Sequence, residues 1–315
     1  MDKNSRIYIA GHTGLVGTNL KNKLQQLGYH NLILKKRSEL DLLSQENVNN
    51  FFKESKIDYV FYTAANVGGI YFNQKNQVDL LYENITTSFN VIHAAAENKI
   101  KKFLFLSSSC FYPKDTAQPI KEEQLLTGLP EPTNEGHAIA KIAGSKLCQF
   151  FNQQHNLKFI TAVSTNIYGE EKHFDAQNSH VIPSLFYKFI EAKVKNLPQI
   201  TLWGSGTPRR EFIHVDDVSD SLLFMMDNYD SAEMINIGTG QDISIRELAN
   251  IIREITGYNG DIIFDSTKPD GMKQKLLDVS KINALGWKAK ISLEKGLALA
   301  YSNCCKRIEE SLSVK

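Results

Sequence analysis

Five residues of this chain, Ser108, Cys110, His137, Lys141 and His180, carry side chains that can hold or move a proton. Cys110 and His180 are residue types that exchange protons near neutral pH. Each also has a plainer reading: a cysteine beside apolar residues packs as a small hydrophobe, and a single histidine is often structural. His137 stands four residues before Lys141, and an ammonium so close disfavours a charged imidazole. A second chemistry, the binding of an anion, is suggested near the start by Gly11-His12-Thr13-Gly14-Leu15-Val16-Gly17.

Those glycines lie between an apolar strand, Ile7-Tyr8-Ile9-Ala10, and a helical pattern with apolar positions Val16, Leu20, Leu24 and Leu27. The glycines let backbone approach a pyrophosphate, and the helix N-terminus supplies partial positive charge. A glycine-spaced loop alone is weak; the flanking strand and amphipathic helix favour nucleotide binding over an ordinary turn. The second strand, Asn31-Leu32-Ile33-Leu34, runs into Lys35-Lys36-Arg37, where an NAD-binding chain usually places a carboxylate on the ribose 2′-hydroxyl. Cations there suit a 2′-phosphate, so NADP(H) is expected, with a solvated basic turn as the other reading.

Further strands alternate with helical patterns: Tyr59-Val60-Phe61-Tyr62, then Lys102-Phe103-Leu104-Phe105-Leu106, then Phe159-Ile160-Thr161-Ala162-Val163. Such alternation predicts an α/β protein with a Rossmann, doubly wound parallel sheet, whose ligands bind beyond the carboxyl ends of the strands. Thr63-Ala64-Ala65 and Ser107-Ser108-Ser109-Cys110 occupy those places. From about Gly169 the alternation loosens. Gly204-Ser205-Gly206-Thr207-Pro208 reads as a turn, His214-Val215-Asp216-Asp217-Val218 begins a helix, and Met234-Ile235-Asn236-Ile237 is a strand. Ser244-Ile245-Arg246-Glu247 is a capping box before Leu248, Ile251, Ile252 and Ile255. The expected organisation is a cofactor domain of residues 1–168 with 215–240 and a smaller C-terminal α/β substrate domain of 169–214 with 241–315.

With 315 residues, 42% hydrophobic, and a net charge of +1, the chain is not basic enough to argue for nucleic acid. No apolar segment is long enough to span a bilayer, and Met1-Asp2-Lys3-Asn4-Ser5-Arg6 does not open a signal peptide, so a cytoplasmic protein is expected. Four cysteines, two of them adjacent at Cys304 and Cys305, give neither a disulfide framework nor a zinc spacing.

The chain resembles the GDP-L-fucose synthase family of the extended short-chain dehydrogenase/reductase superfamily along nearly its whole length. The resemblance rests on the glycine loop together with Ser108-Ser109-Cys110-Phe111-Tyr112-Pro113-Lys114, Glu131-Pro132-Thr133-Asn134-Glu135 and Ala138-Ile139-Ala140-Lys141-Ile142-Ala143-Gly144. Asn178-Ser179-His180-Val181-Ile182-Pro183 and Trp203-Gly204-Ser205-Gly206-Thr207-Pro208 complete it, all in the family's order. The resemblance implies a homodimer that takes a GDP-linked 4-keto-6-deoxy sugar and NADP(H). The keto group acidifies the protons on C3 and C5; Cys110 and His180 match the pair that removes and returns them. Ser108 matches the serine that hydrogen-bonds the keto oxygen, and Lys141 the lysine that holds the nicotinamide ribose. For the cofactor the resemblance implies Gly11, Thr13, Gly14, Leu15, Val16 and Gly17, then Arg37, Leu106, Ser107, Lys141, Asn166, Ile167 and His180. Ser109, Lys188, Trp203, Arg210, Asp270 and Lys275 match positions facing the GDP-sugar, where a guanidinium suits a diphosphate. Thr13 departs from relatives that carry arginine there, so the NADP preference leans on Arg37 and its lysine neighbours.

The larger departure is His137, which occupies the place of the family's proton-donating tyrosine. Three readings stand open: a protonated imidazole that still donates, a natural member whose reductase step is lost or slowed while epimerisation persists, or a substitution introduced to trap substrate. The same scaffold also resembles reductases of GDP-4-keto-6-deoxy-heptoses in capsule synthesis. A non-catalytic relative that binds NADP(H) and a GDP-sugar is the third possibility, although such a sensor needs none of Ser108, Cys110, Lys141 and His180 as a set.

Overall fold

Parallel strands covered on both faces are apolar almost throughout; the runs 7–10, 102–106 and 159–163 are buried end to end, whereas the edge run 31–34 is half-buried to exposed. The computed structural model describes residues 1–170, 179–268 and 270–313. In it β1 (Ile7–Ala10), wholly buried, leads through the glycine turn into α1 (Leu15–Gln26). Then come β2 (Leu32–Ile33), α2 (Gln45–Ser55), β3 (Tyr59–Tyr62), α3 (Ile70–Lys75) and α4 (Gln77–Glu97). They are followed by β4 (Lys102–Ser108), α5 (Glu135–His155), β5 (Phe159–Ser164), β6 (Asn166–Tyr168) and α6 (Val181–Val194).

The remainder comprises β7 (Gln199–Trp203), β8 (Arg209–His214), α7 (Val215–Asn228), β9 (Ile235–Ile237) and β10 (Asp242–Ser244). Last come α8 (Ile245–Thr256), β11 (Asp261–Asp265), β12 (Gln274–Lys275), α9 (Ser280–Ala284) and α10 (Leu293–Ser313).

Six strands pair in parallel in the order β2-β1-β3-β4-β5-β9, the Rossmann-like sheet expected. Strand order reverses between β1 and β3, and a crevice opens at such a reversal beyond the carboxyl ends. One face of the sheet packs Ile7, Ile9 and Leu104 against Leu20 and Leu24 of α1 and Val218 and Leu222 of α7. The other packs Tyr8, Val60 and Phe105 against Phe52 of α2, Val91 of α4 and Cys148 of α5.

Two local expectations are corrected. The edge strand β2 is two residues long rather than four, because only Ile7 and Tyr8 give it a register. Leu27 is not on the apolar face of α1: the helix ends at Gln26, the chain turns at Gly28 with φ of 83°, and Leu27 is 48% exposed.

A separate apolar cluster joins α6, α8 and α10 with β7, centred on Phe186, Phe189, Leu202, Leu248 and Ile252. The capping box is present: Ser244 accepts from the Glu247 amide while the Glu247 carboxylate accepts from Ser244 N, and Gly257 ends α8 in the left-handed region. Full burial of Leu248 and Ile252 contributes about 2 kcal/mol each. Here β8 is flanked by antiparallel β10 and parallel β12, and β6 also pairs with it. Glu211 of β8, fully buried, accepts from the backbone amides of Thr239, Gly240 and Leu277, so one carboxylate fastens three chain segments. Among the described residues no helix is long and apolar enough to cross a membrane.

Candidate active site

Close packing at the glycine turn explains its composition. Gly11 has φ of 86°, and a Cβ there would lie 2.7 Å from the Ala64 amide nitrogen; a Cβ on Gly17 would lie 2.2 Å from the Gly11 carbonyl oxygen. No side chain caps α1, whose N-cap is Gly14, so its first turn is left to an anion. A cavity of about 310 Å³ opens here, lined by Gly11, Thr13, Gly14, Lys35, Lys36, Arg37, Asp41 and Thr63 among others. Of the expected cofactor residues, Gly11, Thr13, Gly14 and Arg37 line it beside Lys35 and Lys36, whereas Leu106, Ser107, Lys141, Asn166, Ile167 and His180 do not; a dinucleotide carrying an extra phosphate fits this donor set. Leu15, Val16 and Gly17 form the helix start beneath it. Arg37 is exposed and reaches Glu83 at 3.8 Å, and Asp41, not singled out from the sequence, shares the wall.

Ser108 ends β4 and its hydroxyl accepts from the Cys110 amide at 3.4 Å, which starts a single 3-10 turn over Ser109–Phe111. Ser109 is buried within that turn, and Ser107 receives a hydrogen bond from Ser145 of α5 at 3.1 Å. Helix α5 lies close to β4 because Gly144 meets the Phe105 ring, where a Cβ would come within 2.5 Å. Three and seven residues back along the same buried face are Lys141 and His137. The Lys141 ammonium donates to the Leu106 carbonyl at 2.8 Å and lies over the Phe105 ring.

These residues form one electrostatic cluster. Burial pushes the Lys141 amine down to about 8, with Cys110 opposing the shift. Burial also lowers Lys275, again opposed by Cys110. His137 is pushed down to about 3, first by burial and then by Lys141, His180 and Lys275. His180, the N-cap of α6, is exposed at its surface; desolvation by the protein around it and then Lys275 hold it below the usual histidine range. Asn178 of the same motif lies outside the described residues.

On the GDP-sugar side, Lys275 pairs in register with Arg210 across β12 and β8, which sets two half-buried cations side by side. Arg210 interacts with Glu131 and Asp270, and both Asp270 oxygens accept from Ser205, closing the Gly204–Pro208 turn. Trp203 ends β7, is 59% exposed and has Lys268 over its ring. Lys188 is half-buried on α6, its amine lowered by desolvation. Arg209 is no free surface charge, since it pairs with Asp242 at 2.7 Å. Asn166 of β6 donates to the Glu211 carbonyl, and Ile167 packs against the sheet core.

Sequence reasoning missed Asn84. It is buried on α4, where the inward stripe runs Leu80, Asn84, Ser88, Val91, and a polar residue at a core position was the available signal. Glu131, quoted only as part of a motif, also faces Arg210 and Lys275.

Residues 7–238 match the NAD dependent epimerase/dehydratase family. The chain is 48% identical to GDP-L-fucose synthase 1 of Arabidopsis thaliana, over 97% of this chain and 96% of that one. It is 46% identical to GDP-L-fucose synthase of Escherichia coli, over 94% and 95%. Among solved structures, GDP-mannoheptose C4 reductase of Campylobacter jejuni with NADP bound is 41% identical, with a TM-score of 0.88 over 96% of this chain and 98% of that one.

Proposed function

The chain belongs to the NAD dependent epimerase/dehydratase family, and from that premise we propose that it is a GDP-L-fucose synthase-like enzyme, a 3,5-epimerase and 4-reductase of a GDP-4-keto-6-deoxy-hexose that uses NADP(H). The observation that supports this best is the gathering of Cys110, His137, Lys141, His180 and Lys275 beyond the carboxyl end of β4. Relatives named for the same activity cover nearly the whole chain.

The 4-keto group makes a carbanion at C3 or C5 an enolate, so Cys110 and His180 act there by removing a proton and returning one from the opposite face. Ser108 hydrogen-bonds the keto oxygen. NADPH, when bound, supplies the hydride for C4. Lys141 orients its ribose, and the glycine turn with Lys35, Lys36 and Arg37 takes its phosphates. Arg210, beside Lys275, takes the GDP diphosphate through parallel hydrogen bonds. His137 stands at the tyrosine position and, being held neutral, makes reduction the weaker half of the activity.

A GDP-4-keto-6-deoxy-heptose is the second reading, supported by the likeness to the Campylobacter jejuni heptose reductase. We further assign a homodimer, for which the exposed Val78 and Tyr82 on α4 and Ile139 and Phe150 on α5 supply apolar surface. The cytoplasm suits four free cysteines.

Mixing the protein with GDP-4-keto-6-deoxy-mannose and NADPH in deuterated water tests the proposal. Label entering C3 and C5 identifies the epimerase, and NADPH consumption the reductase. Activity with the heptose substrate alone supports the second reading, and neither signal with either sugar leaves a non-catalytic binder.

A further inference from the structure

Glu131 precedes a proline, which holds its backbone extended, and Pro132 then opens a single 3-10 turn that ends at Asn134. The Glu131 side chain does not cap that turn. Lys114, four residues after Cys110, donates its amide to the Leu129 carbonyl at 2.9 Å. The chain leaving the Cys110 turn is thereby tied beside the chain that carries Glu131, whose side chain is 18% exposed.

One oxygen of this carboxylate has nothing to accept. Among the described residues none donates a hydrogen bond to Glu131 Oε2, which is shut off from solvent. The Lys114 ammonium is 3.4 Å away but out of hydrogen-bonding alignment, and its side chain is 44% exposed, so its charge is shared with water. A buried carboxylate oxygen without a donor is costly and calls for a partner. The charge of Glu131 acts on Arg210 and Lys275, and Cys110 acts on the same lysine. Beside the two cations assigned to the diphosphate, an anion repels that group, and the phosphates have no proton to give it. On the Cys110 side, the ligand can offer only a hydroxyl. In a 4-keto-6-deoxy-hexose joined to GDP through C1, the carbons that carry one are C2 and C3.

We propose that Glu131 is a substrate-binding residue whose Oε2 accepts a hydrogen bond from the C2 or C3 hydroxyl of the hexose, so that the pocket selects sugars presenting a donor there. The inference rests on the proposed GDP-sugar reading and adds to it the group that reads the hydroxyl pattern. A charged acceptor left bare rejects an analogue lacking the hydroxyl more strongly than an apolar wall does. The same carboxylate weakens binding of the diphosphate, so Glu131 acts on the two parts of the ligand with opposite signs.

Titrations of GDP and of GDP-mannose, a ligand with both hydroxyls, against the unaltered protein and Glu131→Gln test this without turnover. The glutamine keeps the shape and removes the charge. The preference for GDP-mannose over GDP should fall at least about fivefold in the variant, with GDP itself binding as well or better. Both ligands tightening alike would leave Glu131 a repulsive charge only, and both weakening alike would make it structural; either overturns the proposal. The 2-deoxy and 3-deoxy analogues of GDP-mannose supply a test on the unaltered protein that needs no folded variant. One of them should bind at least about tenfold less tightly than GDP-mannose, and that loss should shrink in Glu131→Gln. Both analogues binding like the parent, or a loss as large in the variant, overturns the proposal. A protein that binds neither GDP nor GDP-mannose refutes the functional reading and this inference with it, whereas binding of both with no change in Glu131→Gln refutes this inference alone.

Discussion

Replacing His137 by tyrosine is the perturbation on which the reading of this site turns. With its pKa near 3, the imidazole carries a proton in about one molecule in 10⁴ at pH 7. Reaching the cationic acid therefore costs about 5 kcal/mol, which is four pH units at 1.36 kcal/mol each. The neutral ring can hydrogen-bond the keto oxygen but gives up its remaining proton with great reluctance. A phenol needs no prior protonation, and Lys141, which the structure ties to Leu106 within the same helix-strand contact, stays in place to orient the ribose. Positioned acids contribute about 10²- to 10⁴-fold, so His137→Tyr should raise NADPH oxidation by at least about a hundredfold, or about 2.7 kcal/mol. Deuterium entry at C3 and C5 should change little, because Cys110 and His180 are untouched. Lys141→Ala is the control and should weaken reduction in both backgrounds. If the unaltered protein reduces its keto sugar at full speed and the tyrosine variant is no faster, imidazole is a competent acid here and the argument from burial fails.

Cys110→Ser should lose most deuterium incorporation while still binding NADPH; unchanged exchange would move that role elsewhere. NADPH should bind at least about tenfold more tightly than NADH, and Arg37→Ala should remove most of that margin, about 1.4 kcal/mol, in a direct titration. Because the Lys141 amine is pushed down to about 8, its charge is lost as the pH rises past that value, and reduction should decline there rather than near the ordinary lysine range. Folded His137 takes up a proton near 3 whereas the unfolded chain does so near the ordinary 6.5, so stability is full above about 6.5 and falls as the pH drops towards 3. Between pH 6.5 and 5 that amounts to about 2 kcal/mol, which denaturant titrations should show to be absent in His137→Gln.

Local signals carried most of the cofactor half. The glycine turn, the strand before it and the basic run after β2 are contiguous, and contiguous patterns with fixed periodicity are what a sequence displays. Ser108 and Cys110 stood out because they follow a strand, and Lys141 through the family resemblance that its motif carries. The capping box at Ser244 and Glu247 was readable for the same reason. By contrast, the pairing of Lys275 with Arg210 joins segments 65 positions apart through a two-residue strand, too short to leave any periodicity. Asn84 was hidden differently: it lies 3.4 Å from the ring of His137, 53 positions away, a proximity that no spacing encodes. Leu27 misled because helical spacing continues past the residue at which the backbone stops being helical.

The carboxylate of Glu211 has a consequence for how the protein is made. On a ribosome this residue emerges about 66 positions before Leu277, whose amide is one of its partners. Until those later residues arrive, a negative charge destined for the interior lacks one of its donors and must keep water beside it, which holds β8 from settling. Lys275 arrives on the same late segment. The glycine turn and the basic run after β2 therefore leave the ribosome well before Lys275 can join Arg210 and Cys110.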